Sequence, residues 1–134
     1  MKVLLDTHIA IWAIADAPAL PAAARKAILD SGNEIYVSDI SVWEIAIKSV
    51  ARPGSIPFNS AEFAEACAES GYRFLPVSRD AIIAYENLDY EAVGDVHRDP
   101  FDRLLLAQSK VSDMLFLTHD SVLRLYNEPH AIIV

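Results

Sequence analysis

The chain has 134 residues, of which 53% are hydrophobic and 22% are charged, enough apolar material for one packed core and too much for a disordered chain. Its net charge of −8, from 11 Lys and Arg against 19 Asp and Glu, is the opposite of what a broad basic nucleic-acid-binding surface requires. No apolar run is long enough to cross a bilayer, and the single cysteine excludes an internal disulfide. Asp6 also comes too early for a signal-peptide core, so we expect one cytoplasmic domain spanning residues 1–134.

Short apolar runs alternate with helical patterns along the chain. The runs are nearly continuous, as is typical of strands covered on both faces. Predicted strands are Val3–Leu5, Ile35–Val37, Arg73–Val77, Leu115–Leu117 and Ala131–Val134. Predicted helices cover residues 8–15, 21–31, 40–51, 60–70, 79–87, 101–113 and 120–125. This alternation predicts an α/β fold with three layers, in which a central, mostly parallel sheet of about five strands carries helices on both faces.

Prolines and glycines mark several helix boundaries. Pro21 and Pro100 suit the first turn of a helix, and Gly32 and Gly71 suit positions just after one. Residues 52–57 and most of residues 89–99 are predicted loops. Cys67 lies among alanines and is interpreted as a small helix residue rather than a nucleophile.

Acidic residues follow the predicted strands or begin the helices beside them. In an open α/β sheet, sites form at the carboxyl ends of the strands, so residues from distant segments are expected to gather at one edge. Clustered carboxylates raise each other's pKa and are normally tolerated when cations lie between them. Ligation by oxygen alone selects Mg²⁺ or Mn²⁺, and no Cys/His spacing indicates zinc. The candidates are Asp6, Asp39, Glu44, Asp99, Asp102 and Asp120.

Each acid also has a simpler interpretation as part of a helix cap, and for any one acid alone we prefer it. Together, their expected convergence favours a metal site. The simpler roles are an N-cap at Asp6 or Thr7, a capping box at Ser41 and Glu44, an ion pair of Glu44 with Lys48, an N-cap at Asp99 with an acid at Asp102, and a cap at Thr118 with Asp120 in the helix dipole.

The local sequences resemble the PIN-domain family, and within it the VapC-type toxins. The matching segments occur in the family's order and span nearly the whole chain; they are Leu4–His8, Ser41–Ile45, Asp99–Gln108 and Leu117–Asp120. The resemblance implies a PIN-like α/β/α fold and Mg²⁺- or Mn²⁺-dependent cleavage of RNA. The family's acidic quartet maps onto Asp6, Glu44, Asp102 and Asp120, and Asp99 lies in a matching segment, so either Asp99 or Asp102 is the direct metal ligand. His8 stands where the family often carries Asn.

The expected reaction is hydrolysis of an RNA phosphodiester with one or two metal ions. Thr118 is expected either to orient a carboxylate or water or to cap a helix. Lys48 and Arg103 are candidates for phosphate contacts, although ordinary surface roles are slightly favoured for both. The resemblance further implies a cognate antitoxin and a homodimer. Bound metal or a basic partner would reconcile the net charge with an RNA substrate.

Two other functions remain open at this point. One is a PIN-like module that binds RNA or protein without cleaving it, which would have no need of the acidic quartet. The other is a metal-dependent phosphatase, although the chain lacks an early Asp-x-Asp pair. The histidines (His8, His97, His119 and His130) are interpreted as surface or hydrogen-bonded residues. Trp12 and Trp43 are interpreted as core or interface residues, with base stacking as the less favoured alternative.

Overall fold

The computed structural model describes residues 1–90 and 99–134 and contains a five-stranded sheet covered by helices. The predicted loop between residues 89 and 99, with His97, falls mostly outside these described residues. None of the described helices is long and apolar enough to cross a membrane. The elements are β1 (Lys2–Leu5), α1 (Thr7–Ala15), α2 (Ala22–Leu29), β2 (Glu34–Ser38), α3 (Asp39–Ala51), α4 (Ser60–Glu69), β3 (Arg73–Leu75), α5 (Arg79–Glu86), α6 (Pro100–Val111), β4 (Leu115–Thr118), a 3₁₀ helix (Ser121–Leu125) and β5 (Ala131–Ile133).

The sheet has the strand order β3-β2-β1-β4-β5, and every neighbouring pair is parallel. The first strand is therefore the central one, with Val3 opposite Ile35 on β2 and opposite Leu115 on β4. Because all strands run in the same direction, their carboxyl ends lie at one edge, where Asp6, Asp39 and Asp120 follow.

The alternation of side chains along β1 divides the core into two layers. Val3 and Leu5 pack with residues of α1, α2 and α4, whereas Leu4 packs with residues of α5 and α6 on the other face. The largest fully buried side chains are Phe63 on the first side and Phe116 on the second. Helices on both faces of a parallel sheet give the three-layer α/β/α arrangement, so the predicted fold class is confirmed.

The boundary residues behave largely as their chemistry predicts. Pro100 is the first residue of α6, and Gly71 follows α4 with a φ of 82°, a left-handed conformation that glycine adopts without steric cost. Gly32 does not end α2 in this way, because Asp30 already terminates the helix in an extended conformation. Cys67 lies in α4 and is buried, which raises the pKa of its thiol to about 12 and leaves it unreactive.

Candidate active site

Asp6 ends the central strand and caps the first helix at the same time. Its Oδ1 accepts a hydrogen bond from the His8 backbone N–H at 2.8 Å, as an N-cap does. Its Oδ2 accepts a bond from the Thr118 hydroxyl at 2.5 Å. The capping interpretation and the site interpretation of Asp6 are therefore compatible, because one carboxylate oxygen serves each contact.

Thr118, at the end of β4, contacts the Asp6 carboxylate and the Asp120 backbone rather than capping a helix. Its Oγ1 donates to Asp6 and accepts from the Asp120 backbone N–H at 3.1 Å. The following 3₁₀ helix is capped by Asp120, whose Oδ1 accepts from the Val122 N–H at 3.0 Å. Of the two roles expected for Thr118, the structure contradicts the helix cap, because Asp120 fills that position.

Asp99 and Asp102 occupy the first turn of α6 in different environments. Asp99 is the N-cap, and its Oδ1 accepts from the backbone N–H groups of Phe101 at 3.0 Å and Asp102 at 3.3 Å. The Asp102 side chain is buried, with 8% of its surface exposed. Burial, together with the charges of Asp6, Asp99 and Asp120, raises the pKa of Asp102 to about 9.

One open cleft of about 350 Å³ collects four of the predicted site residues from three separate parts of the chain. Its acidic lining consists of Asp6, Asp99, Asp102 and Asp120, and the remaining lining residues are His8, Trp12 and His119. The pKa of Asp6 is also raised, mainly by burial and against the effect of the hydrogen bonds from Thr118 and His8. Asp39 is exposed and does not line this cleft.

Glu44 is buried beside the cleft but does not line it. Its Oε2 is paired with Lys48 Nζ at 2.9 Å, so the predicted i,i+4 ion pair is present. Its Oε1 is buried and has no hydrogen-bond partner within the described ranges, and the Glu44 charge raises the pKa of Asp6. One Glu44 oxygen thus lacks the partner that a buried polar atom normally has.

The capping box expected at Ser41 and Glu44 is wrong. The N-cap of α3 is Ser38, whose Oγ accepts from the Ile40 N–H at 3.0 Å, so Ser41 lies inside the first turn. The Ser41 hydroxyl instead bonds the Thr7 hydroxyl at 2.8 Å, with both groups buried. This contact ties the start of α1 to α3 and so fixes Glu44 relative to Asp6.

The two candidates for phosphate contacts are engaged within the chain, in keeping with the non-phosphate roles that the sequence favoured. Arg103 donates from Nε and one terminal nitrogen to the Tyr85 backbone carbonyl at 2.9 and 2.7 Å, and its guanidinium lies 4.8 Å from the centre of the Tyr85 ring. These bonds join α6 to α5 and leave Arg103 out of the cleft lining. Lys48 is held by Glu44 and lines a neighbouring groove.

The described residues offer an all-oxygen donor set for a cation. No group of three or more His, Cys, Asp or Glu side chains in residues 1–90 and 99–134 is arranged so that it could hold a metal ion. The chemistry of the donors fits a hard divalent ion nevertheless, because Asp6 and Asp102, both buried and with raised pKa values, line one cleft and Glu44 keeps an unpartnered buried oxygen beside it. Positive charge there would remove the mutual repulsion that raises the pKa of Asp102.

Three further residues, His8, Trp12 and His119, form an aromatic rim of the cleft. The sequence favoured surface or hydrogen-bonded roles for the histidines and a core or interface role for Trp12, with base stacking as the less favoured alternative. The position of Trp12 six residues after Asp6 on the same helix, and of His119 directly before Asp120, is the signal that could have identified them. His130, by contrast, is hydrogen-bonded to Ser109 on α6, as expected of a structural histidine.

Comparison with known proteins agrees with this architecture. The PIN domain family profile matches residues 3–128. The solved VapBC2 complex of Rickettsia felis bound to a promoter DNA fragment is similar, with a TM-score of 0.62 and 16% identity, and the match covers 100% of this chain and 98% of that chain. A toxin–antitoxin complex from Klebsiella pneumoniae has a TM-score of 0.61 and 16% identity, with coverage of 97% of this chain and 95% of that chain. The FitAcB structure of Neisseria gonorrhoeae is also similar, with a TM-score of 0.57 and 19% identity, and the match covers 89% of this chain and 88% of that chain. No curated protein sequence matches significantly.

Proposed function

Because the chain belongs to the PIN domain family, we propose that it is a single-domain endoribonuclease that hydrolyses RNA phosphodiester bonds with Mg²⁺ or Mn²⁺, and that it is the toxin of a toxin–antitoxin pair. The observation that carries the nuclease proposal is the cleft that four aspartates from three separate segments line at the carboxyl edge of the sheet. The similar VapBC2 and toxin–antitoxin structures support the toxin assignment.

In this proposal Asp6, Asp102 and Asp120 hold the metal, with Glu44 and Asp99 beside them. A bound divalent ion supplies Lewis acidity, which makes hydroxide available near neutral pH and offsets charge on the phosphate. Thr118 keeps the Asp6 carboxylate in one orientation through its 2.5 Å bond. The N-cap role of Asp99 fixes the first turn of α6 and thereby the Asp102 backbone. We assign Asp102 as the direct ligand, because its own carboxylate is the more deeply buried of the two.

The nuclease proposal is tested by comparing wild type with Asp6→Asn on RNA, with Mg²⁺, with Mn²⁺ and with a chelator. We expect wild type to cleave RNA only with metal, and the variant to fold, to bind metal more weakly and to leave RNA intact. A folded, nuclease-free preparation of Asp6→Asn with full activity would remove Asp6 from the reaction.

The same assay separates the alternative functions. A phosphatase would hydrolyse a generic phosphate monoester and spare internal RNA bonds, whereas a binding module would retain RNA without cleaving it. The aspartate cleft argues against the pure binding module, since nothing in RNA binding alone requires buried, uncompensated carboxylates.

We propose that the antitoxin binds the groove beside the cleft. This groove has a volume of about 670 Å³, lies between α1 and α3, and is lined by apolar residues such as Ile11 and Ile47. The neighbouring face of α3 exposes Trp43 (58% exposed) and Val50 (85% exposed), which suits the apolar side of a partner helix. A partner arginine reaching the aspartates would form bidentate bonds with a carboxylate and compete with metal.

Co-expression with the product of the adjacent gene tests the partner. We expect a complex that co-purifies and does not cleave RNA, and we expect Val50→Glu to weaken the complex without affecting the RNase activity of the free protein. A complex that cleaves RNA as fast as the free protein would end the toxin–antitoxin proposal and leave the nuclease proposal intact.

We also propose that the protein is a homodimer. Ile82 and Ile83 on α5 remain more than half exposed on a helix outside the groove assigned to the antitoxin, and they are available to an interface between copies. Light scattering of the free protein is expected to give twice the mass of one chain. A monomer mass at all concentrations would contradict this.

A further inference from the structure

An aromatic rim borders the aspartate cleft. It consists of His8, Trp12 and His119, which all line the cleft together with Asp6 and Asp120. The Trp12 ring centre lies 5.9 Å from that of His8 and 5.6 Å from that of His119. The planes meet at 49° and 70°, so neither imidazole is stacked on the indole. All three rings thus line the cleft, and no pair of them is stacked face to face.

The rim is built into the elements that carry the aspartates. Trp12 is half-buried and packs against the core between α1 and the sheet. The His119 Nδ1 donates to the main-chain oxygen of Val134, and the Val134 N–H donates to the Thr118 carbonyl at 2.8 Å. His119 is therefore fixed by the strand end that also positions Thr118 and Asp120.

We infer that the aromatic rim stacks an unpaired nucleobase of the RNA next to the phosphate held in the cleft. This inference rests on the proposed nuclease function and deepens it by naming the residues that bind a base beside the phosphate. Aromatic side chains stack on bases that are splayed out of a helix, whereas bases in a duplex are already stacked on each other. Trp12 provides the main stacking surface, and His8 and His119 flank it.

The charge of the chain favours this mode of binding. With a net charge of −8, the protein gains little from long-range attraction of RNA phosphates, and the two cations considered for phosphate contacts are engaged within the chain: Lys48 by Glu44 and Arg103 by the Tyr85 carbonyl. Base stacking needs no positive charge and accepts every base, since each has a π face. It thus supplies affinity where ion pairing does not.

Intrinsic fluorescence tests the inference with Trp12 itself as the reporter. The chain has two tryptophans, so Trp43→Phe leaves Trp12 as the sole reporter, and Trp12→Phe leaves Trp43 as the matched control. Both are placed in the Asp6→Asn background to prevent cleavage and are titrated with a short unstructured RNA in Mg²⁺. We expect quenching of Trp12 and little change of Trp43. The same RNA annealed to its complement should leave Trp12 unquenched.

Kinetics on the active protein provide the second readout. Trp12→Ala should raise KM by about 5- to 150-fold, the range typical for loss of one stacked base, with a smaller change in kcat. Trp12→Phe should retain most of the affinity, because phenylalanine still offers a ring. Trp43→Ala should leave KM for RNA unchanged. Unfolding midpoints identify any variant that fails to fold, and for such a variant the fluorescence titration decides.

The outcomes separate this inference from the proposed function. Metal-dependent cleavage with an unchanged KM in Trp12→Ala, or equal quenching by single-stranded and duplex RNA, overturns the stacking role and leaves the nuclease standing. Loss of antitoxin binding with unchanged RNA binding in Trp12→Ala also overturns it and assigns the rim to the protein partner. Quenching of Trp12 by RNA in a protein that never cleaves RNA upholds the rim and contradicts the nuclease.

Discussion

Two buried carboxylates among the described residues differ in whether they form an ion pair with a cation. Glu128, 6% exposed, has its Oε1 2.7 Å from Lys110 Nζ and accepts a bond from the Asp89 backbone N–H at 3.3 Å. Asp102 is equally buried, but its neighbours are Asp6, Asp99 and Asp120, and the pKa of Asp102 rises to about 9.

The difference indicates what each carboxylate does. A buried charge costs free energy unless it is paired and hydrogen-bonded, and Glu128 meets that requirement within the chain. Within residues 1–90 and 99–134 no cation is paired with Asp102, so the burial of its charged form is unfavourable there and would become favourable when a cation binds. We therefore infer that Glu128 stabilises the fold, whereas Asp102 serves to bind a ligand.

The largest expected effect is on activity. Asp102→Asn should reduce metal-dependent RNA cleavage by more than the roughly 10- to 100-fold typical of residues that only support a metal ligand. Glu128→Gln, the matched control, should cleave at the wild-type rate. Initial rates at saturating Mg²⁺ measure both. Comparable losses in the two variants would show that the carboxylates do not differ in role.

The free energy of unfolding should show the reverse order, because the control variant Glu128→Gln should lose stability and Asp102→Asn should not. Glu128→Gln loses an ion pair to a half-exposed lysine and should lower the free energy of unfolding by about 1 to 2 kcal/mol, with solvent screening of Lys110 taken into account. Asp102→Asn should leave it unchanged or raise it, because an unpaired carboxylate is removed. Denaturant titrations without metal give both values. A destabilised Asp102→Asn would mean that Asp102 supports the fold.

The effect of Asp102→Asn on stability should also depend on pH. In the unfolded chain Asp102 loses its proton near its ordinary pKa of 3.8, whereas in the folded protein it keeps the proton up to about pH 9. Between these values the unfolded state binds fewer protons, so the Asp102 contribution to stability falls as pH rises. The free energy of unfolding of Asp102→Asn, relative to that of wild type, should therefore rise from pH 5 to pH 8 in the presence of a chelator. Parallel stability profiles would contradict the raised pKa.

The smallest expected effect separates the two acids of α6. Asp99→Ser should keep stability within a few tenths of a kcal/mol, because serine is also a good N-cap. It should retain most of the activity, if Asp102 is the direct ligand. An inactive Asp99→Ser alongside an active Asp102→Asn would reverse the assignment.

The local chemistry of the sequence predicted most of the fold and the gathering of four of the six candidate acids, whereas Asp39 and Glu44 do not line the cleft. Each strand is a short apolar run, and Asp6 and Asp99 cap helices as their sequence positions indicate. Contacts between distant residues were not predictable from local pattern. Ser41 pairs with Thr7 rather than forming a capping box, and Arg103 binds the Tyr85 carbonyl rather than phosphate. The complete aromatic rim was not predictable from local pattern, because His119 joins His8 and Trp12 only when β4 lies beside β1.

The central position of β1 has a consequence for how the protein is made. Asp6 and its partner Thr118 lie 112 residues apart in the chain, and the edge of β1 that receives β4 has no strand beside it until β4 has been synthesised. At roughly 5 to 20 residues per second, this leaves an interval of about 6 to 22 seconds. A nascent or truncated chain that ends before β4 therefore lacks Thr118 and Asp120 and cannot complete the cleft.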